Sequence, residues 1–164
     1  SKALLADAGV AAGTSITIML PPPAYARRGG EVIAAMLAEV GIEVKLVPVE
    51  FAQWLDQVFA RSDFDATIIA HVETRDLDIY ARDKYYFNYN SPEYKAIYKQ
   101  FSEATDDKQQ LELLGQLQRK LAEDEPNVFL YALPKIGVWD KKLQGMWKNQ
   151  TIPANDLTSV YWAD

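Results

Sequence analysis

Cysteine is absent from the 164 residues, and histidine occurs once. Those two gaps remove thiol nucleophiles, disulfides and cysteine-ligated zinc, and they leave a single imidazole for acid–base or metal chemistry. The missing cysteine does not fix the compartment, because exported and cytosolic proteins can both lack it. No apolar run approaches the ~20 residues a helix needs to cross a bilayer. Basic clustering is missing too: 17 Lys and Arg stand against 23 Asp and Glu, a net charge of −6 with the acidic residues scattered. Nucleic acid and anionic membrane surfaces require a clustered basic face, so neither is the expected partner. Hydrophobic residues make up 49% of the chain, which excludes disorder for its bulk. Residues 1–164 read as a single domain large enough to bury a core without staples.

The most ordered pattern runs from Thr105 to Tyr131. Asp106 with Gln109 three places later has the form of a capping box and predicts a helix start. Leu111, Leu114, Leu117 and Leu121 recur at helical spacing as one apolar stripe. Pro126 then stops the helix, having no N–H to donate and a ring that clashes with the preceding turn. Val128, Phe129, Leu130 and Tyr131 read as a buried strand. The acidic groups here explain themselves without catalysis. Asp106 and Asp107 favour the positive end of the helix, whereas Glu123, Asp124 and Glu125 oppose the dipole and are tolerated by solvation.

Upstream, strands alternate with single helices. Ser15–Leu20 is short and β-branched, and Pro21-Pro22-Pro23 ends it. A helix follows with Val32, Ile33, Met36, Leu37 and Val40 on one face, and Gly41 is its left-handed stop. Ile42, Val44 and Leu46 alternate with Glu43 and Lys45 as a half-buried strand. Phe51, Trp54, Leu55, Val58 and Phe59 fit the i, i+3, i+4, i+7, i+8 face of a helix. Phe64–Ala70 is the third strand. This βαβαβ order predicts an α/β fold with a mostly parallel sheet flanked by helices and joined by right-handed crossovers.

Open sheets of this kind bind ligands beyond the carboxyl ends of their strands, where the strand order switches. Two loops qualify: Pro21–Arg28 after the first strand, and His71–Asp78 after the third. The second is the more polar, with His71, Glu73, Thr74, Arg75, Asp76 and Asp78. A run of aromatics follows, from Tyr80 through Tyr85, Tyr86 and Phe87 to Tyr89. Such rings grip ligands of mixed character or simply pack the loop onto its domain. Another helix is expected from Ser91-Pro92, burying Tyr94, Ile97, Tyr98 and Phe101. Arg27-Arg28-Gly29-Gly30 is a candidate anion cradle before a helix start, without the glycine spacing of a phosphate loop. The tail Lys142–Asp164, with Trp147, Pro153 and Trp162, supports only short irregular pieces. Lys2–Gly9 reads as the last turns of a helix, the mark of a piece of a longer protein.

The order of elements resembles the C-terminal lobe of the extracellular solute-binding proteins of the oligopeptide, dipeptide and nickel class, which feed ABC importers. The resemblance rests on six stretches in sequence: Lys2–Gly9, Leu37–Val44, Phe51–Leu55, Phe64–Ala66, Thr105–Tyr131 and Leu143–Met146. It implies one lobe of a type II periplasmic-binding fold, with the first lobe lying N-terminal to Ser1. It implies a periplasmic or extracellular binding component, not an enzyme, with no cofactor. Its partners are a peptide or peptide-like solute, or a sugar derivative, and a membrane permease. Peptide binders of this class carry glycine-tryptophan at the end of the third strand, followed by an aspartate for the peptide ammonium. Here the matching positions read Ala70-His71, and Thr74 stands where the aspartate is expected.

The expected ligand contacts are therefore His71, Val72, Glu73, Thr74 and Arg75, then Tyr25 and Arg28, then Tyr86 and Tyr89. Arg75 or Arg28 is suited to hold a carboxylate in bidentate fashion. A metal site is not expected, since one imidazole without cysteine cannot satisfy zinc or nickel. The alternative reading is a hydrolase or transferase domain using His71, Asp76 and Asp78 as paired acid–base groups. Ser91 and Ser102 have no histidine neighbour in sequence to make them nucleophiles.

Overall fold

A computed structural model describes residues 1–71, 76–134, 136–147 and 156–164. It divides into two compact units, Ser1–Ala70 with Arg82–Asn90, and His71–Ala81 with Ser91–Asp164.

The first unit is the wound sheet. Helix α1 (Lys2–Asp7) ends where Gly9 takes a left-handed conformation, φ +70°. Strand β1 (Thr14–Leu20), helix α2 (Ala24–Glu39) and strand β2 (Ile42–Pro48) follow. Gly41 turns the chain from α2 into β2 at φ +87°, a region that costs glycine little. Helix α3 (Phe51–Trp54) continues as a π-helical turn over Leu55–Ala60 and leads to β3 (Ala66–Thr67). All pairing is parallel, in the order β2-β1-β3, with Ile16 opposite Val44 and Ile18 opposite Ala66. The α/β expectation holds.

Ile18, Leu20, Ala26 and Ile68 form the buried centre, with Ile16, Tyr25, Ile33, Val44 and Leu46 packed around it. Gly30 lets α2 lie close over β1, because a Cβ there would sit 2.7 Å from Leu20 Cδ1. The helix face is thus built on Ala26, Gly30 and Ile33, and Val32 and Met36 project outward. Small residues, which an apolar count overlooks, mark the close side. In the next helix Trp54 and Val58 are buried while Phe51, Leu55 and Phe59 stay exposed, so the apolar face is wider than the contact it makes.

The third strand is shorter than the expected Phe64–Ala70. It lies at the sheet edge and pairs with β1 through Ala66 and Thr67 alone. Just before it, the Asp65 carboxylate accepts the Thr17 backbone N–H at 2.8 Å. A side chain there substitutes for one rung of the ladder.

The second unit is helical. Helix α4 (Pro92–Glu103) starts with Ser91 as N-cap, its hydroxyl accepting the Tyr94 N–H at 3.2 Å. Helix α5 (Asp107–Asp124) packs against α4 and is capped by Asp106, which accepts the Gln109 N–H at 2.9 Å. Its buried face is Leu113, Leu117 and Leu121, whereas Leu111 is 70% exposed. At 3.6 residues per turn Leu111 stands about 120° round the helix from Leu117, so the i, i+4, i+8 row wins. Tyr94 is fully buried, donates its hydroxyl to the Leu77 carbonyl at 3.0 Å, and meets the Tyr80 ring edge-on.

Helix α5 stops at Glu125, whose left-handed φ of +47° precedes Pro126. The expected buried strand at Val128–Tyr131 does not form, and those residues are exposed. Their apolarity is real, but no described strand pairs with them. Beyond them, β4 (Leu143–Gln144) and β5 (Tyr161–Trp162) pair antiparallel, Leu143 opposite Trp162 and Gln144 opposite Tyr161. Gly145 is required there, at φ +80° and with the Ser159 carbonyl where a Cβ would be. Pro153 lies outside the described residues.

Candidate functional site

The sheet order β2-β1-β3 places the strand-order reversal between β1 and β3. The chain leaving β1 runs through α2 to β2 on one side, while β3 lies on the other, and in open parallel sheets the carboxyl edge at such a reversal is where ligands bind. In the first unit this end carries Tyr25 and Arg27, from the first turns of α2. The Tyr25 hydroxyl accepts the Ala70 N–H at 2.9 Å, tying the start of α2 to the chain just beyond β3. Tyr25 therefore bridges the two expected loops at their bases. Its ring is half-buried against the central cluster, which fixes the hydroxyl.

Arg27 and Glu50 approach to 4.0 Å, linking the carboxyl ends of β1 and β2. Arg28, the predicted contact, is exposed on α2. Both arginines lie inside the helix, which begins at Ala24. The anion-cradle reading of Arg27–Gly30 is thereby corrected. Gly30 serves packing on Leu20, and the stretch is not a loop before a helix start.

The aromatic run divides by role. Tyr86 is 6% exposed and packs with Trp54, Phe59, Phe64 and Phe87. Ring geometries in this cluster range from tilted to edge-on, the arrangement that π-quadrupoles favour in a core. Tyr85 is buried in the same cluster, and Arg82 lies over its ring at 5.0 Å. Tyr89 is half-buried. In this chain, then, Tyr86 acts as a packing residue.

In the second unit, His71 is half-buried with Nδ1 3.8 Å from Asp76 Oδ1. That spacing is an ion-pair distance and is too long for a hydrogen bond. Asp76 adopts φ +47°, and Asp78 opens a short 3-10 turn whose Ile79 and Tyr80 are buried. Val72, Glu73, Thr74 and Arg75 lie outside the described residues. Ser91 is used as a helix cap, and the Ser102 hydroxyl donates to the Lys99 carbonyl at 2.8 Å. Among the described residues no group of three or more His, Asp and Glu side chains gathers as a metal site. No described helix is long and apolar enough to cross a membrane.

Sequence reasoning missed the Tyr25–Ala70 tie and the Arg27–Glu50 approach. The first joins residues 45 positions apart and leaves no periodic trace. The second had a signal, an arginine after one strand and a glutamate after the next.

No family model matches the chain, and no curated protein sequence does. Solved structures match it. The oligopeptide-binding protein AppA from Bacillus subtilis, in complex with a nonapeptide, superposes with a TM-score of 0.75 at 24% identity. The match covers 99% of this chain and 37% of AppA. The fold is that of part of a type II periplasmic binding protein. DppA from Helicobacter pylori, in complex with the peptide STSA, matches with a TM-score of 0.61 and 21% identity over 76% of this chain and 27% of DppA. The protein AppA of Clostridium difficile matches with a TM-score of 0.66 and 19% identity over 76% of this chain and 28% of its own. The chain thus spans between about a quarter and two fifths of the proteins whose fold it shares.

Proposed function

We propose that this chain is one lobe of a solute-binding protein that captures a peptide or peptide-like solute and delivers it to a membrane permease. The observation that carries the reading is the Tyr25–Ala70 tie at the carboxyl end of a parallel β2-β1-β3 sheet, in a chain folded like part of AppA and DppA. Both of those proteins were solved with peptides. A peptide presents backbone amides and two charged ends, which suit a strand-end site offering backbone, tyrosine and arginine. Contact is assigned to Tyr25 and Arg28 after β1, and to His71 with residues 72–75 after β3.

The role is binding without turnover, in the periplasm or at the cell exterior. A second lobe in the same polypeptide supplies the opposing contacts, and closure of the two buries the solute. The His71–Asp76 spacing provides no tight acid–base pair for the hydrolase alternative. Isothermal titration of the full-length protein with defined peptide pools tests the proposal. Saturable heat is the expected result, and its absence across di- to decapeptides would sink it.

A further inference from the structure

The carboxyl end of the first unit's sheet is basic within an acidic chain. Residues 21–28, 49–50 and 68–70 follow its three strands and hold three charged side chains, Arg27, Arg28 and Glu50. The fold anchors one of them. The Arg27 side chain is 42% exposed, yet its Nε is shut off from solvent and finds no hydrogen-bond partner among the described residues. Buried side-chain nitrogens are nearly always paired, so an idle one marks a place where an acceptor belongs. Glu50 approaches but does not fill that role, because Oε1 stops 4.0 Å from Arg27 Nη2, beyond hydrogen-bond length. The first turn of α2 offers no acidic residue instead. Glu50 is itself uncommitted. It is the N-cap residue of α3, but its carboxylate accepts none of that helix's N–H groups, and its side chain is 84% exposed.

We propose that Arg27 receives a carboxylate of the solute and that Glu50 is its resident competitor, pairing loosely with Arg27 until the solute displaces it. The proposal rests on the binding reading above and narrows the solute to one that carries a free carboxylate. A guanidinium presents its N–H groups as a fork that matches the two oxygens of one carboxylate. Glu50 meets that fork at one point and at long range, and exposed pairs of this kind hold little. A solute carboxylate that engages two donors replaces a weak contact with a stronger one, while Glu50 turns to solvent. An uncharged group makes no such exchange, so the competitor sharpens selection for acids. Glu50 then remains nearby as a like charge, and removing it should favour acidic solutes alone.

Isothermal titration of the full-length protein with three sequence-matched peptide pools tests this. One pool has free C-termini, one is amidated, and one is amidated with an internal glutamate. One of the two carboxylate pools should bind about tenfold more tightly than the plain amides. Preference for the first assigns the chain terminus to Arg27, and preference for the second an acidic side chain. Glu50→Gln should tighten the preferred pool by up to about fivefold, the worth of an exposed pair, and leave the amides unchanged. Arg27→Gln should reduce the preferred pool to the level of the amides. Weaker binding in Glu50→Gln, or equal changes for all three pools, would make the pair a brace between strand ends and overturn the proposal. Silence from every pool would sink the peptide reading alone, and sodium acetate then decides. At equal ionic strength, acetate in place of chloride should raise the melting temperature of Glu50→Gln more than that of the unaltered protein, and leave Arg27→Gln unmoved. No such difference would overturn the proposal. Should Arg27→Gln fail to fold, the sign of the Glu50→Gln effect still separates competitor from brace.

Discussion

The indole N–H of Trp54 donates to Thr67 Oγ1 at 2.9 Å, and that hydroxyl donates in turn to the Met19 carbonyl at 2.7 Å. One threonine thereby links the helix after β2 to β3 and to the central strand. Thr67→Val keeps the shape and removes both bonds, leaving a buried indole N–H without its acceptor. Stability should fall by about 1–3 kcal/mol, the cost of stranding a buried donor. Urea unfolding monitored by tryptophan fluorescence measures it, and an unchanged midpoint would show that the chain is ornamental.

Gly30 and Gly115 both lie in helices, and alanine should act oppositely at the two. At Gly30 the new Cβ meets Leu20 at 2.7–2.9 Å, and Leu20 is 2% exposed with no room to retreat. Overpacking of ~1–3 kcal/mol outweighs the helix-propensity gain of ~1 kcal/mol, so Gly30→Ala destabilises. At Gly115 the nearest atom is Arg119 Nη1 at 3.4 Å, the far end of a flexible side chain. Gly115→Ala should therefore stabilise by up to about 1 kcal/mol. Chemical denaturation of the two variants in parallel checks the sign of each.

Asp106 holds the first turn of α5 by accepting the Gln109 N–H. Asp106→Ala should cost roughly 0.5–2 kcal/mol, and Asp106→Asn much less, because asparagine caps nearly as well. Thermal melts of both variants separate capping from charge. Equal losses would assign the effect to the carboxylate charge at the helix end instead.

Features governed by neighbours in sequence were legible. The Asp106 cap, the Ser91-Pro92 start and the glycine stops at Gly9 and Gly41 all depend on a few adjacent residues. The parallel βαβαβ order was legible because element alternation constrains topology strongly. Which helix face packs was legible only in part. Leu111 and Met36 are as apolar as the residues that are buried, and close approach is decided by Ala26 and Gly30. Val128–Tyr131 read as buried because apolarity records a need for burial without recording what supplies it. At the candidate site, strand-end logic located Tyr25, but its bond to Ala70 needs the folded sheet to bring them together.

Lys120 joins the two main helices of the second unit, with Nζ 2.8 Å from Glu93 on α4 and 2.9 Å from Asp124 on α5. Hydrogen bonds to these two carboxylates, Glu93 foremost, hold its ammonium above the ordinary lysine value of 10.5. A cation whose folded value is raised contributes stability that is complete below its unfolded value. That contribution is lost as pH rises through the folded one. Lys120→Met should therefore lower the melting temperature modestly at neutral pH, and the gap from the unaltered chain should narrow only in strongly alkaline solution. Glu93 is largely exposed, so added salt should shrink the gap as well. Melts at pH 7 and pH 11, each at low and high salt, test both trends, and a gap that widened with pH would exclude Lys120 as the link between α4 and α5.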